Sequence, residues 1–507
     1  MTCSGTPRPL PEQKSATQAF GLAELAEWLE APVPAGAAVT VTGVCADSRA
    51  VEPGDLYFAL PGARAHGLDF EAQACARGAV AAVSDRAGAI LPTVVVDDPR
   101  RCAGPVSSHI HSYPSWAMDV YGVTGTNGKT STTYLLGAAL TAAGERVGTL
   151  TGISISGPGG VFPATRTTPE AAPLQKALAR FRDEGATTAV MEVSSHAVAH
   201  RRIDGTRFAA VGFTNLSSDH LDFHGSMEKY FAVKSELFTP QRAAAAAIGI
   251  DDDYGRRLAA TIEIPCWTWS ATDARAEIFG DAIECTVSGT SFTARTPYGS
   301  FEIRLPLLGP HQVHNALAAM SLLAANGKDL GSAVLGFERV SSVPGRLERI
   351  DAGQPFLALV DYMHNTAGQR QLLPYLRTLT TGRVIVVVGA TGDRDPSKRF
   401  PLGATAAELA DLVIVSDESP YSEDAAGIRN EVAAGAVAAQ SAMVVVEPDR
   451  RRAFDLAVAN AQPGDVIVVA GRGCDTEQVF GDTVLPFDDR EELLAALQSC
   501  STGLMPS

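Results

Sequence analysis

Gly122-Val-Thr-Gly-Thr-Asn-Gly-Lys129-Thr130-Ser-Thr-Thr-Tyr134 reads as the end of a strand, a glycine-rich turn and the start of a helix. The strand covers 117–123, with Val120, Tyr121 and Val123 apolar. The helix carries Tyr134, Leu135, Leu136 and Leu140 and stops at Gly144, a residue suited to a left-handed C-cap. Backbone N–H groups of such a turn and the positive end of the helix dipole face one point, where a polyanion sits. Gly125, Thr126, Asn127, Gly128, Lys129, Thr130 and Ser131 are the residues that surround it. In this kind of loop the lysine neutralises the β/γ-phosphates of ATP and the Thr hydroxyl binds Mg²⁺. The spacing departs from the general P-loop pattern, because Val123 stands where a glycine is expected and the glycines fall at 122, 125 and 128. A flexible strand–helix loop is the bland alternative, and Gly-Lys-Thr in this context speaks against it.

Around this loop the chain is too long for one core. Its 507 residues predict three domains of ordinary size, namely residues 18–116, 117–340 and 341–507, after a disordered lead-in over 1–17. Hydrophobic content of 46% and charged content of 19% describe a folded, soluble protein. A formal net charge of −16 argues against nucleic acid as a partner, which needs a basic face. No apolar run approaches the ~20 residues that span a bilayer, and the Pro/Ser/Thr-rich start lacks the apolar segment of a signal peptide. The eight cysteines are scattered without a C-x-x-C pair, so neither zinc nor a disulfide framework is implied. A reducing cytoplasm is the simplest setting. Oligomeric state is not legible.

The fold class is α/β. In the first domain 39–44, 55–60, 80–84 and 93–96 read as strands, with a polar loop over 64–67. The Pro/Ser/His stretch 105–115 reads as a linker. The second domain holds strands at 188–193 and 209–214 and a helix at 227–238. The third repeats a strand-then-helix rhythm, and its runs 384–388, 412–416, 443–446 and 466–470 have the continuous apolarity of buried parallel strands. Such a sheet binds ligands beyond the carboxyl ends of its strands. Those ends are Gly389-Ala-Thr-Gly-Asp393-Arg394-Asp395, Asp417-Glu-Ser-Pro-Tyr421 and Gly471-Arg-Gly-Cys-Asp475, all polar or glycine-rich.

Single residues leave alternatives open. Glu192, at the end of an apolar strand, fits a Mg²⁺ shell shared with Thr130 and equally a strand-end salt bridge. Asp219-His220-Leu-Asp222-Phe-His224 suggests metal or phosphate chemistry, with His220 a candidate ligand for a second Mg²⁺, although a histidine taken singly is more often structural. Lys234, in Tyr230-Phe-Ala-Val-Lys234, is a lone lysine on an amphipathic helix, ordinarily a solvated one.

Taken together these motifs are recognisable. Gly-Thr-Asn-Gly-Lys-Thr, Glu192, Asp219-His220-Leu-Asp222, Lys234, Gly309-Pro-His-Gln-Val-His-Asn315, Val343-Pro-Gly-Arg346 and Asp361-Tyr-Met-His364-Asn365 stand in the order and approximate spacing of the Mur ligase family, which the chain resembles along nearly its full length. The resemblance implies a small α/β UDP-binding domain, a central P-loop ATPase domain with a mostly parallel sheet, and a C-terminal Rossmann-like domain. It implies an ATP-dependent, ADP-forming ligase that activates a carboxylate as an acyl phosphate and joins it to an amine. Asn315, Arg346, Asp361 and His364 match positions that hold the nucleotide. Thr130, Glu192 and His220 match ligands of two Mg²⁺ ions. Lys234 matches a lysine carbamylated by CO₂, whose carbamate is also a metal ligand. Lys129, Glu192, His220 and Lys234 are thus the catalytic set that the resemblance implies.

Within the family the likeness is greatest to the branch that adds the third stem-peptide amino acid to UDP-N-acetylmuramoyl-L-alanyl-D-glutamate in cell-wall synthesis. Ala46-Asp-Ser48-Arg49 and Pro53–Gly62 resemble its UDP-binding segment, and Thr167, Thr168, Ser194 and Arg202 match muramoyl-dipeptide positions. His200 stands in the dipeptide site where the family usually has glutamine. Gln312 replaces a frequent asparagine. Glu418-Ser419-Pro420-Tyr421 aligns with Asp-Asn-Pro-Arg, the motif of members that add meso-diaminopimelate. Gly471-Arg472-Gly473-Cys474-Asp475 aligns with Gly-Lys-Gly-His-Glu. Arg394, Glu418, Ser419, Tyr421, Gly471 and Asp475 therefore line the implied amino-acid site. A tyrosine cannot clamp a distal carboxylate as arginine does, so meso-diaminopimelate is expected to be a poor substrate. The partners implied are small molecules. A related ligase with another acceptor in specialised peptide metabolism is the second reading. A catalytically silent nucleotide-binding protein is the third, and joint retention of Lys129, Glu192, His220 and Lys234 speaks against it.

Overall fold

The computed structural model describes residues 19–62 and 65–503. The expected lead-in at 1–17, and Arg64 of the expected polar loop, lie outside them. The chain is α/β throughout, and its contacts divide it into two compact units: Met1–Gly122, Glu145–Val211 and Glu236–Ala244 form the first, and Val123–Gly144, Gly212–Ser235 and Ala245–Ser507 the second. The dividing line passes through the strands Asp119–Thr124 and Ala210–Phe213, so each unit contains one end of both.

The first unit contains a parallel four-stranded sheet, Gly43–Cys45, Asp55–Phe58, Ala81–Ser84 and Thr93–Val95. Leu56, Phe58, Ala81, Val83 and Val94 pack one of its faces against Leu22, Leu25, Ala103, Val106 and Ile110. The run 39–44, expected to be one strand, is two: Thr40–Val41 pairs with Phe20–Gly21, while Gly43–Cys45 enters the larger sheet. The expected linker at 105–115 is mostly helix. Pro105 lies inside the helix Pro99–Ile110, which Asp98 caps by accepting from the Arg101 N–H. Burial of Ala103, Val106 and Ile110 outweighs the cost of an interior proline. The unit's other strands are ordered Gly160–Pro163, Ser154–Gly157, Val147–Leu150, Thr188–Glu192 and Asp119–Thr124. Gly122 is glycine here for packing, because a Cβ would meet the Phe208 ring at 2.9 Å.

In the second unit the strands Ala246–Gly249, Cys266–Ser270, Ile278–Thr286, Gly289–Thr296 and Gly299–Leu305 follow one another in the sheet. The long apolar helix His311–Ala325 packs on them. A separate six-stranded sheet runs in the order Glu348–Arg349, Leu357–Asp361, Val466–Ala470, Val384–Val388, Leu412–Val415 and Met443–Val446, parallel after its first strand. Both faces are covered. Leu373, Leu376, Leu402, Ala406 and Val432 fill one side, and Phe454, Val458, Leu493 and Leu497 the other. The run 443–446, read as buried, is an edge strand with Met443 64% exposed. Apolarity alone does not separate an edge from a centre. Val384–Val388 and Val466–Ala470 are neighbours, yet the next helices, Arg399–Leu409 and Asp489–Gly503, pack on opposite faces. Their diverging loops open a crevice at the carboxyl ends of the strands.

Candidate active site

The phosphate-type loop has a backbone that requires its glycines. Gly125 has φ +147° and Gly128 φ +88°, and a Cβ at either would strike Thr214 Oγ1 at 1.8 Å or Asn315 Oδ1 at 2.5 Å. The loop is anchored from the following strand: Thr126 N–H donates to the Asn215 carbonyl (2.9 Å), and Thr214 Oγ1 to the Asn127 carbonyl (2.6 Å). The helix Lys129–Ala142 follows, with Thr130 and Ser131 buried in its first turn, and Gly144 takes φ +88° past its end. Lys129 Nζ folds back onto the carbonyls of Gly125 (3.0 Å) and Thr126 (2.8 Å).

Lys234 overturns the expectation of a solvated lysine. It lies on the helix Met227–Ser235, is 1% exposed, and its Nζ donates to Gly125 O (3.0 Å) and Thr124 Oγ1 (3.3 Å) over the Tyr230 ring (4.8 Å). Burial, and then the charge of Lys129, hold its pKa well below the usual lysine range, against a smaller pull from Asp219. A sequence window shows the helix, whereas burial of the lysine depends on the loop it packs beneath.

Asp219 gathers three groups. Lys398 Nζ lies at 2.7 Å, His220 Nε2 at 3.6 Å and His364 Nε2 at 3.8 Å. Burial alone would raise this carboxyl, but His364, His220 and Lys398 outweigh it and hold the group far below the usual carboxylate range. His220 takes a left-handed φ of 53° and turns its ring edge to Tyr230, so His220 and Lys234 flank one aromatic side chain. Arg346 stacks on Tyr362 (4.5 Å) and reaches Thr130 Oγ1 (3.4 Å). Asp361 accepts the Leu347 N–H at 2.7 Å, and burial pushes its carboxyl up to about 6 against the pull of Arg346. Asn315 donates to Gln312 Oε1 (2.9 Å) beside Thr132. These second-unit residues, far apart in sequence, therefore surround one loop.

In the first unit Glu192 ends its strand buried, with Oε1 accepting the Gly152 N–H at 2.9 Å. Thr168 Oγ1 donates to the Glu192 carbonyl (2.9 Å) and accepts from Ser194 N–H (3.1 Å). Arg202 is buried, not solvated. It pairs with Glu170 at 2.9 Å, and Arg100 and Arg166 approach the same carboxylate at 3.8 and 3.9 Å. Burial, then Arg202 and Arg100, lower the pKa of His200. Thr167 stands beside this group next to Gly152. Ser48 is buried and donates to Gln73 Oε1 (2.7 Å), whereas Arg49 is exposed and paired with Asp47 (2.8 Å).

The crevice of the six-stranded sheet collects the third group. Glu418 is buried against Gly389 and Gly471 and accepts from Thr391 Oγ1 at 2.8 Å. Ser419 Oγ accepts the Val479 N–H (3.2 Å), and Arg394 is exposed 5.9 Å from the Tyr421 ring. Asp475 is exposed, and enclosure by its neighbours pushes its carboxyl up to about 6 despite Arg472. Beneath lies a wholly buried pair, Arg450–Asp489 (2.6 Å).

Residues 40–109 match the catalytic domain of the Mur ligase family, 123–323 the Mur ligase middle domain, and 345–473 the Mur ligase glutamate ligase domain. The chain belongs to the Mur ligase family. It is 43% identical over 509 residues to the UDP-N-acetylmuramoyl-L-alanyl-D-glutamate–2,6-diaminopimelate ligase of Streptomyces coelicolor, covering 98% of this chain and 99% of that one. The enzyme of the same name from Corynebacterium glutamicum is 42% identical over 487 residues, 92% of this chain and 93% of its own. A solved structure of a ligase of that name superposes with a TM-score of 0.66 at 27% identity, over 96% of this chain and all of the other. This Mur ligase is accordingly an ATP-dependent, ADP-forming acid–amino-acid ligase of three-domain α/β architecture, working on small molecules. Among its described residues no helix is long and apolar enough to cross a membrane.

Sequence reasoning missed several residues of these groups. Arg100, Arg166 and Glu170 join the Arg202 cluster, Lys398 reaches Asp219 from 179 positions away, and Arg450 meets Asp489 across 39. Lys398 alone carried a signal, since it follows Arg394 in a loop at a strand end.

Proposed function

We propose that this Mur ligase joins an amino acid other than meso-diaminopimelate to UDP-N-acetylmuramoyl-L-alanyl-D-glutamate in the cytoplasm, during peptidoglycan synthesis. The acceptor reading is supported by relatives over 40% identical along nearly the whole chain. Tyr421 at the position of the clamping arginine carries the departure from their named substrate. The domains follow as residues 18–116 for the UDP moiety, 117–340 for ATP and 341–507 for the amino acid.

An acceptor carboxylate oxygen attacks the γ-phosphorus, and ADP leaves. The amine of the incoming amino acid attacks the acyl carbon and loses a proton, and inorganic phosphate leaves. Lys129 moves from the loop carbonyls to the phosphates, and Arg346 and Asp361 hold the nucleotide. Arg202, Thr168 and Ser194 grip the acceptor, whose negative charge suits a site where three arginines share Glu170.

Mg²⁺ suits these residues. Among the described residues no group of three or more His, Cys, Asp or Glu side chains is built to hold a metal unaided, as fits ions held largely by phosphate oxygens and water. Thr130, Glu192, His220 and a carbamate on Lys234 would hold two ions, which offset charge as a carboxylate nears a triphosphate. Lys234 is suited to carbamylation because burial and the charge of Lys129 favour the neutral amine, whose nitrogen bonds to CO₂ carbon and releases a proton. His200, at the dipeptide site, favours as second reading a different carboxylate acceptor in specialised peptide metabolism.

The test is phosphate release from the purified enzyme with UDP-N-acetylmuramoyl-L-alanyl-D-glutamate and a panel of amino acids. Release is expected only with both substrates present, and only weakly with meso-diaminopimelate. Efficient, selective ligation of meso-diaminopimelate would refute the reading.

A further inference from the structure

Glu170 is one carboxylate among three guanidinium groups. Arg202 Nε lies 2.9 Å from its Oε1, Arg166 Nη1 3.9 Å from the same oxygen, and Arg100 Nη1 3.8 Å from Oε2. In a chain of net charge −16 this is a local surplus of positive charge, and it is loosely held. Arg166 and Arg100 stand beyond hydrogen-bond reach. Arg202 is buried, yet its Nε has no aligned acceptor, and its Nη1 donates only to the Thr168 carbonyl at a long 3.4 Å. Burial lowers the pKa of Arg202 against the pull of Glu170, and repulsion from Arg166 and Arg100 adds to the lowering. The cluster adjoins the strand end that carries Glu192, because Thr168 also donates its hydroxyl to the Glu192 carbonyl (2.9 Å).

Glu170 has a second place to rest. It occupies the N-cap of the helix Ala171–Asp183, and its side chain makes no cap bond there. A carboxylate that leaves the arginines by rotating about its own side-chain bonds therefore stays in the field of the helix dipole. An arriving anion has access, since Arg100, Arg166 and Glu170 are all partly exposed. A misaligned, part-exposed ion pair holds weakly. A ligand carboxylate that forms paired, aligned bonds to guanidinium replaces it.

We infer that Glu170 is an internal stand-in for the acceptor. Its carboxylate keeps Arg202, Arg166 and Arg100 together in the empty enzyme, and a carboxylate of the acceptor displaces it and takes up all three arginines. Arg100 and Arg166 are then binding residues, and Glu170 is a competitor that sets how tightly the acceptor is held. This rests on the reading that a carboxylate acceptor binds at Arg202, and it adds what fills the site beforehand.

Calorimetry on the full chain measures binding of UDP-N-acetylmuramoyl-L-alanyl-D-glutamate, and of glutarate, a dicarboxylate with neither sugar nor nucleotide. The proteins compared are wild type, Glu170→Gln, Arg166→Ala and the double variant. Glu170→Gln should bind the acceptor about two- to fivefold more tightly, because the competing ion pair is gone, with KM for ATP unmoved. Arg166→Ala should weaken acceptor binding about two- to fivefold, and by at least as much in the Glu170→Gln background. An arginine that served only to hold Glu170 would cost nothing there. If Glu170→Gln does not fold, Glu170→Asp, which withdraws the carboxylate by one methylene, should shift affinity in the same direction. Weaker or unchanged acceptor binding on changing Glu170, or an Arg166→Ala cost that vanishes in the Glu170→Gln background, would overturn the inference and leave the acceptor reading in place. Tighter glutarate binding by Glu170→Gln, with the UDP-muramoyl dipeptide bound by no variant, would refute that acceptor and leave the inference standing.

Discussion

Lys129 and Lys234 share one acceptor: the Nζ atoms of both donate to the carbonyl oxygen of Gly125, each at 3.0 Å. Two ammonium groups converging on one peptide oxygen are stable only if one gives up its proton or an anion arrives between them. Lys234→Ala should therefore reduce ligation at least about 100-fold while changing ATP affinity only a few-fold. Depleting CO₂ from the buffer should slow the wild type and leave the residual rate of the variant unmoved. A variant that retains wild-type turnover would remove the carbamate from the mechanism.

The same lysine costs stability. Its folded pKa lies below the unfolded value of about 10.4, so the unfolded chain binds more protons and the penalty grows as pH falls from that value towards the folded one. Lys234→Met should raise Tm, and by more at pH 7 than near pH 10. Thermal unfolding at the two pH values checks this.

Asp219→Asn removes the acceptor that Lys398 and His364 share. A kcat lowered roughly 10- to 100-fold, with KM for ATP less affected, is the expected outcome if this contact brings the amino-acid domain to the nucleotide. The folded pKa of Asp219 is depressed, so its contribution to stability is full above about pH 4 and lost as pH falls below that. The variant should show a shallower loss of stability below pH 4 in denaturant titrations.

Arg202→Ala should raise KM for the UDP-muramoyl dipeptide at least about tenfold without moving KM for ATP. Steady-state kinetics with each substrate varied in turn separates these effects.

Arg450→Met should destabilise the protein by about 3–5 kcal/mol, because it leaves Asp489 charged in a site with no exposure. The urea midpoint measures this, and an unchanged midpoint would mean that Asp489 takes up a proton at no cost.

Local chemistry was legible in the sequence, and burial was not. The glycines of the loop marked a phosphate-type turn, and the structure gives Gly125 and Gly128 positive φ. The apolar runs of the C-terminal sheet announced parallel strands, but the edge position of 443–446 depends on a strand order that no local window contains. Pro105 read as a linker because turn-forming residues surround it, and long-range packing of Val106 and Ile110 overrode them. Lys234 sat on a pattern that favours solvent, and partners far along the chain enclosed it. The family resemblance drew attention to Lys234, Glu192 and His220, whereas Glu170 and Arg166 became visible only once their partners were in place.

Residue 421 sits in a frame made wholly of main chain, with Val479 holding its amide and Gly481 its carbonyl. Neither bond depends on which side chain is attached. The position behaves as a socket on a fixed mount, where the side chain can be exchanged without disturbing the main-chain bonds that hold it. If residue 421 meets the amino acid as proposed, substrate choice is open to change by one substitution, at little risk to folding.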